Sequence, residues 1–234
     1  VAEFELKRFW ERVEVVGVAD GFSVALDGRA IKTPLKRALV LPTEALAAEV
    51  AVEWRAVEGK VDIGKMPYTR FTHAALDQAV DERAEIQAKI ALYGETDLLC
   101  YRADNPQELI ERQKQAWDPL LAWSAEELGS PLVATTGIVH VEQPRDSIKN
   151  LSEIVTGYSG FALTALYDWV TLSGSLVLAL AVSKGRIGAA EAWELSRIDE
   201  NWQIEQWGVD DDAEALAASK RETFLLVERA VNMI

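Results

Sequence analysis

Apolar and polar positions alternate early in the chain and shift to helical spacing further on. Phe22, Val24 and Leu26 alternate with small residues, the period of a half-buried strand. Asp27-Gly28 follows, a pair whose tolerance of positive φ marks a tight hairpin turn. Residues 30–33 read as the return strand, ended by Pro34, and residues 38–41 as another short strand closed by Pro42. Residues 10–16 also alternate, with Val13 and Val15 on one face. At Thr43 the period lengthens. Thr43 is a good N-cap with Glu44 in the first turn, Leu46, Val50, Trp54 and Val57 share one stripe, and Gly59 ends it. Residues 72–93 read as helix in two pieces, and residues 97–101 (DLLCY) as a strand or a buried turn.

From Asn105 onwards helices dominate. Asn105, Pro106 and Glu108 suit an N-cap, N1 and a capping-box acid. The stripe continues through Leu109, Gln113, Trp117, Leu120 and Leu121, while Pro119 predicts a kink or a fresh start capped by Asp118. Residues 138–141 read as a short strand and residues 147–158 as a helix. Residues 161–182 are apolar on nearly every face, which only a central buried helix tolerates. Two more helices follow, over 189–207 and 210–231, separated by Gly208, with Asp210, Asp211 and Asp212 placed where a helix N-terminus favours negative charge. The shift in character predicts an α+β fold: a small N-terminal α+β domain with a β-hairpin (residues 1–93), then a mostly helical domain (residues 94–234).

Composition narrows the function classes. The 234 residues carry 24 Lys and Arg against 38 Asp and Glu, a net charge of −14. That field repels phosphate backbones and anionic membranes and favours basic partner surfaces. Cys100 is the single cysteine, and His73 and His140 are the two histidines. An intrachain disulfide is therefore excluded, and most zinc sites lose their raw material. The longest charge-free run, residues 169–183, is too short to span a bilayer. The first twelve residues hold three acids and no long apolar block, unlike a signal or transit peptide. This favours the bacterial cytoplasm, with the mitochondrial matrix as the alternative.

Catalytic motifs are weak. Residues 59–65 fit G-x-x-x-x-G-K, yet Met66 replaces the hydroxyl residue that would ligate magnesium, and a helix precedes where a phosphate loop needs a strand. The segment reads as a plain turn. Asn150-Leu151-Ser152 is a chance sequon. His73 and Asp77, four apart on a helix, read as a surface hydrogen bond without a third metal ligand. His140, in an apolar run, reads as structural, and Cys100 as a buried inert thiol. Neither a cofactor nor a metal is expected. A carboxylate pair made by tertiary contact keeps a second reading open: a cytosolic hydrolase or small-molecule binder.

Residues 199–208 (DENWQIEQWG) are the most informative. On one continuous helix Leu195, Asp199, Trp202 and Gln206 share a face, so an acid and an amide occupy a stripe that ought to be apolar. Each then needs a partner or solvent. Spacing leaves two readings: a core hydrogen-bond network, since the indole N–H wants an acceptor, or a recognition surface, where tryptophan is enriched.

Taken together, these strings resemble the assembly chaperone family for the alpha subunit of the F-type ATP synthase, over nearly the whole chain. The resemblance rests on Lys7-Arg8-Phe9-Trp10, Leu26-Asp27-Gly28-Arg29, Lys32-Thr33-Pro34, Glu53-Trp54, Met66-Pro67 and Thr69-Arg70. It continues through residues 94–102 (GETDLLCYR), residues 117–121 (WDPLL), residues 174–181 (GSLVLALA) and residues 199–208. Glu95 and His73 depart from the Asp and Asn expected there. The resemblance implies a non-enzymatic chaperone that binds the unassembled alpha subunit and covers its beta-facing surface, shielding it from aggregation. Residues 199–208 are expected to contribute to partner binding, because they belong to the resemblance, mix tryptophan with acids, and sit in a chain whose net charge suits a basic partner surface. Glu200, Gln203, Glu205 and Trp207 are expected to touch the partner, and Asp199 and Trp202 to support them from a partly buried face.

Overall fold

The structure, a computed structural model, describes residues 7–234; half of the N-terminal stretch read above for targeting signals lies outside them. Two compact units emerge. The first runs through Glu82 and takes in Gly160–Thr164 and Leu226–Ile234; the second comprises Arg83–Ser159 and Ala165–Leu225. Small antiparallel sheet and abundant helix make the chain α+β.

In the first unit, β1 (Val13–Val18), β2 (Gly21–Leu26) and β3 (Arg29–Ala30) form an antiparallel sheet in that order. Asp27 (φ 48°) and Gly28 (φ 81°) make the turn between β2 and β3, the positive-φ pair that matches strand twist. The Asp27 carboxylate also accepts from the Arg12 amide at 2.8 Å, tying the turn to the chain before β1. Residues 38–41 make isolated bridges, Phe22 with Leu41 and Lys32 with Ala38, in place of the expected strand. α1 (Glu44–Ala56) begins at Thr43, whose hydroxyl accepts from the Leu46 amide, and buries Leu46, Val50 and Trp54. It ends before Gly59, because Val57 is already extended (φ −61°, ψ 124°).

Residues 63–65 form a single 3₁₀ turn capped by Asp62, so the glycine–lysine segment is a connector. α2 (Pro67–Leu76) and α3 (Gln78–Asp81) follow. Helix thus starts earlier than residue 72, with Pro67 at the first position, where its missing N–H costs nothing. Asp77 is buried rather than at the surface. It accepts from Thr33 Oγ1 at 2.7 Å and from the Leu35 amide at 3.0 Å. His73 is half-buried, its Nε2 is without a partner among the described residues, and burial lowers its pKa.

In the second unit, α4 (Arg83–Leu92) precedes a 3₁₀ turn at Leu98–Cys100 and β4 (Tyr101–Arg102). α5 (Gln107–Glu127) starts after Pro106, so Asn105 is not its cap. It runs through Pro119 without restarting at Asp118. Trp117 and Leu120, both buried, anchor it on either side of the proline, and tertiary packing overrides the local preference. β5 (Thr135–Thr136) pairs in parallel with β4, then Gly137 (φ 76°) turns the chain away. After that turn no strand forms over residues 138–141, where the apolar pattern suggests one. Ile138 is 94% exposed, and His140 is exposed beside Tyr101 rather than structural.

α6 (Arg145–Thr156) leads to the apolar heart of the chain. The expected single element over 161–182 is two helices, α7 (Gly160–Ser173) and α8 (Leu176–Ser183). Gly174 takes φ 74°, and Ser175 caps α8 by accepting from the Leu178 amide at 3.0 Å. All residues from Leu176 to Val182 are buried. The helix expected over 189–207 likewise divides at Arg197 into α9 (Ala189–Ser196) and α10 (Ile198–Trp207). α11 (Asp211–Asn232) closes the chain, with Asp210 accepting from the Ala213 amide. Trp169 and Trp193 flank Phe224, and Trp169 Nε1 donates to the Phe224 carbonyl at 3.2 Å. Among the described residues no helix is long and apolar enough to cross a membrane.

Candidate partner-binding surface

α10 carries Asp199, Glu200 and Glu205 but no Lys or Arg, so its cationic partners must come from elsewhere. Arg112 of α5 and Arg197, the residue before α10, supply the cations, and Gln113 of α5 supplies an amide donor. Gln113, 1% exposed, donates from Nε2 to Asp199 Oδ1 at 2.6 Å, while its Oε1 accepts from the Ala103 amide at 2.8 Å. The neighbouring Arg112 grips Glu205 with both guanidinium nitrogens, at 2.7 and 2.9 Å. The same guanidinium lies over the Trp202 ring, 4.9 Å from its centroid. This planar fork holds the Glu205 carboxyl below its ordinary pKa. Arg197 in turn donates to Glu200 at 2.9 Å and lies over Trp193.

The division at Arg197 removes Leu195 from the stripe expected to hold Asp199 and Trp202. Leu195 belongs to α9, where its carbonyl accepts from Trp117 Nε1 at 2.8 Å. Asp199 and Trp202 are half-buried against Gln113 and Arg112. Glu200 is also half-buried, whereas Gln203, Glu205 and Trp207 are exposed. Trp207 is the extreme case at 79% exposure, and Ile204, Val209 and Leu216 are exposed along the same stretch. Asp210, Asp211, Asp212 and Glu214 add exposed acids beyond it. The helix is thus fastened through Asp199, Glu200, Trp202 and Glu205, while Gln203 and Trp207 stand out from it exposed.

The carboxyls with raised pKa serve a different purpose. Asp97 is fully buried, which pushes its pKa up to about 6 against the opposing hydrogen bonds from Val177 N, Ser175 Oγ and Leu99 N. It thereby joins the 94–102 string to the start of α8. Glu53, also raised by burial, accepts from the Tyr68 and Thr69 amides at 2.7 and 2.8 Å and from Thr69 Oγ1. Those are the open amides at the N-terminus of α2, which has no side-chain cap of its own. Both acids face donors already spent on structure. Burial pushes the Cys100 thiol up to about 12, leaving it a poor nucleophile. Among the described residues no three His, Cys, Asp or Glu side chains stand together as a metal site.

The remaining strings interlock with one another. Arg102 lies over Trp117, whose indole bonds to Leu195, and Arg8 donates to the carbonyls of Arg55 and Val57 at the end of α1. The family model of the ATP12 chaperone protein matches residues 7–125. The chain belongs to the ATP12 chaperone family. This is the ATP synthase assembly chaperone family that the sequence resembles. The crystal structure of Atp12 from Paracoccus denitrificans is 44% identical, covers 97% of both chains and superposes with a TM-score of 0.89. The Agrobacterium tumefaciens protein Atu1473 is 36% identical, with a TM-score of 0.86, over 97% of this chain and 87% of its own. The mitochondrial protein atp12 of Schizosaccharomyces pombe is 25% identical over 219 residues, covering 88% of this chain and 75% of its own.

Proposed function

We propose that this member of the ATP synthase assembly chaperones binds the unassembled alpha subunit of the F-type ATP synthase and covers the surface destined for the beta subunit. The role is non-catalytic and needs no cofactor. Trp207 carries the reading: a large apolar side chain is 79% exposed on a helix whose opposite face is fixed by Arg112 and Gln113. An exposed tryptophan costs solubility unless a partner covers it, and aromatic anchors on rigid supports supply much of the energy of protein interfaces. Glu200, Gln203 and Glu205 give that anchor a polar and acidic rim suited to a basic client surface. A free subunit of an obligate ring exposes large apolar interfaces and aggregates; a strongly acidic cover would keep it soluble until the beta subunit displaces it.

The bacterial cytoplasm is the favoured location, because the Paracoccus and Agrobacterium structures are more similar to this chain than the mitochondrial relative is. The direct test is light scattering from purified alpha subunit diluted out of urea. An equimolar amount of this protein should suppress the scattering. Unchanged aggregation of alpha, or equal protection of the beta subunit, would overturn the assignment.

A further inference from the structure

We propose that a cleft beside the sheet of the first unit is a second docking site, taking a short partner segment that pairs carboxylates with bulky apolar side chains. Its floor is Leu26, Ile31 and Trp54, all buried, and Phe9 forms an exposed wall. Phe9 is held edge-on to the buried Trp10 ring at 5.3 Å, so the wall has a fixed position. The cavity of about 240 Å³ is smaller than sites for cofactors or drug-sized ligands, which run from about 300 to 1,000 Å³. It suits one or two side chains.

Arg29 and Lys32 line the same cleft and are exposed. Neither side chain has a hydrogen bond or ion pair among the described residues. Three other arginines of this unit are committed: Arg8 to the carbonyls of Arg55 and Val57, Arg55 to that of Val13, and Arg37 to that of Leu76. The nearest turn acid, Asp27, is also spent, on the amides of Glu11 and Arg12. The local charge runs against the molecule's. Arg29 and Lys32 are the charged residues among the described lining of the cleft, while the whole chain holds 24 Lys and Arg against 38 Asp and Glu. Two cations without a side-chain partner among the described residues, over an apolar floor, select a carboxylate next to an apolar side chain. Trp54, on the cleft floor, has a buried indole Nε1 without an acceptor among the described residues. This site differs from the α10 surface in both place and charge.

The probe is a fluorescein-labelled synthetic hexapeptide alternating Asp or Glu with Phe or Leu, titrated against the full chain by anisotropy. Its counterpart carries Lys in place of each acid. Saturable binding of the acidic peptide, weakened about ten-fold or more by Arg29→Glu with Lys32→Glu and unchanged by Trp207→Ala, is the expected result. The Trp54 indole N–H resonance should move with saturation. Failure to saturate, equal affinity of the double variant, or equally tight binding of the lysine peptide would overturn the site. So would binding to phosphatidylglycerol vesicles without binding to the acidic peptide, which would make the cleft a lipid contact.

Discussion

Ser175 Oγ donates to Asp97 Oδ1 at 2.7 Å across 78 positions of the chain. Asp97 Oδ2 simultaneously accepts from the Val177 amide at 2.9 Å. One buried carboxylate therefore closes the N-terminus of α8 and, through the Leu99 amide, the turn that precedes β4. Replacing it with Asn swaps one acceptor oxygen for an NH₂ that must face a donor, at a cost of about 2 kcal/mol near neutral pH.

The pH dependence has a definite sign. The folded pKa of Asp97 is raised from 3.8 to about 6, so the native state takes up a proton more readily than the unfolded chain does. Its contribution to stability is greatest below the unfolded value and is lost as pH rises through about 6. Wild type should therefore gain stability relative to Asp97→Asn as pH falls from about 7.5 to about 5. Urea midpoints of both proteins at the two pH values measure this, and a constant difference would reject it.

Gln113 is the second internal clasp. Both ends of its amide are used, towards Ala103 and Asp199. Gln113→Leu keeps the bulk but strands a backbone N–H and a half-buried carboxylate, and should cost about 2 kcal/mol. Gln113→Glu places a second carboxylate against Asp199 and should destabilise more, with partial recovery in mild acid. Chemical denaturation of the two variants gives the ranking.

These clasps explain how much of the fold was legible. Turn and cap chemistry is local, so Asp27-Gly28, Thr43 and Asp210 announce themselves in sequence. The break at Gly174-Ser175 lies between two largely apolar segments and carries no change of period, and the break at Arg197 has neither glycine nor proline. The partners of α10 were hidden for another reason. Gln113 lies 86 positions from Asp199 and Arg112 lies 93 from Glu205. The sequence shows that α10 has acids without cations of its own, but not which residues elsewhere meet them. The candidate residues were legible as a string; which of them face outward was not, because that depends on α5.

Leu178 tests the core. Every residue from Leu176 to Val182 is buried, and Leu178 is 0% exposed. Leu178→Ala should cost about 2–5 kcal/mol through the cavity it leaves. Differential scanning calorimetry would detect this as a clear drop in Tm, and a loss under about 1 kcal/mol would mean that the site collapses around the smaller side chain.

Trp207 and Glu205 separate binding from folding. Trp207 has little buried surface to lose, so Trp207→Ala should leave the thermal midpoint nearly unchanged. If it anchors the alpha subunit, the same change should weaken capture about 30-fold, mainly by faster dissociation. Glu205→Lys sets a cation against Arg112 and ends the two-pronged pair. Both partners are exposed, so the stability cost should again be small. Arg112 would keep its place over Trp202 but lose its second tether, and the helix would present a cation where the client expects an acid. Glu200→Lys does the same beside Arg197. Each reversal should slow association and reduce its salt dependence, because rim charges steer encounter more than they hold the complex. Stopped-flow association at two salt concentrations, alongside thermal melts, distinguishes these effects. If Trp207→Ala, Glu200→Lys and Glu205→Lys all keep the alpha subunit soluble as well as wild type does, α10 is not the binding surface.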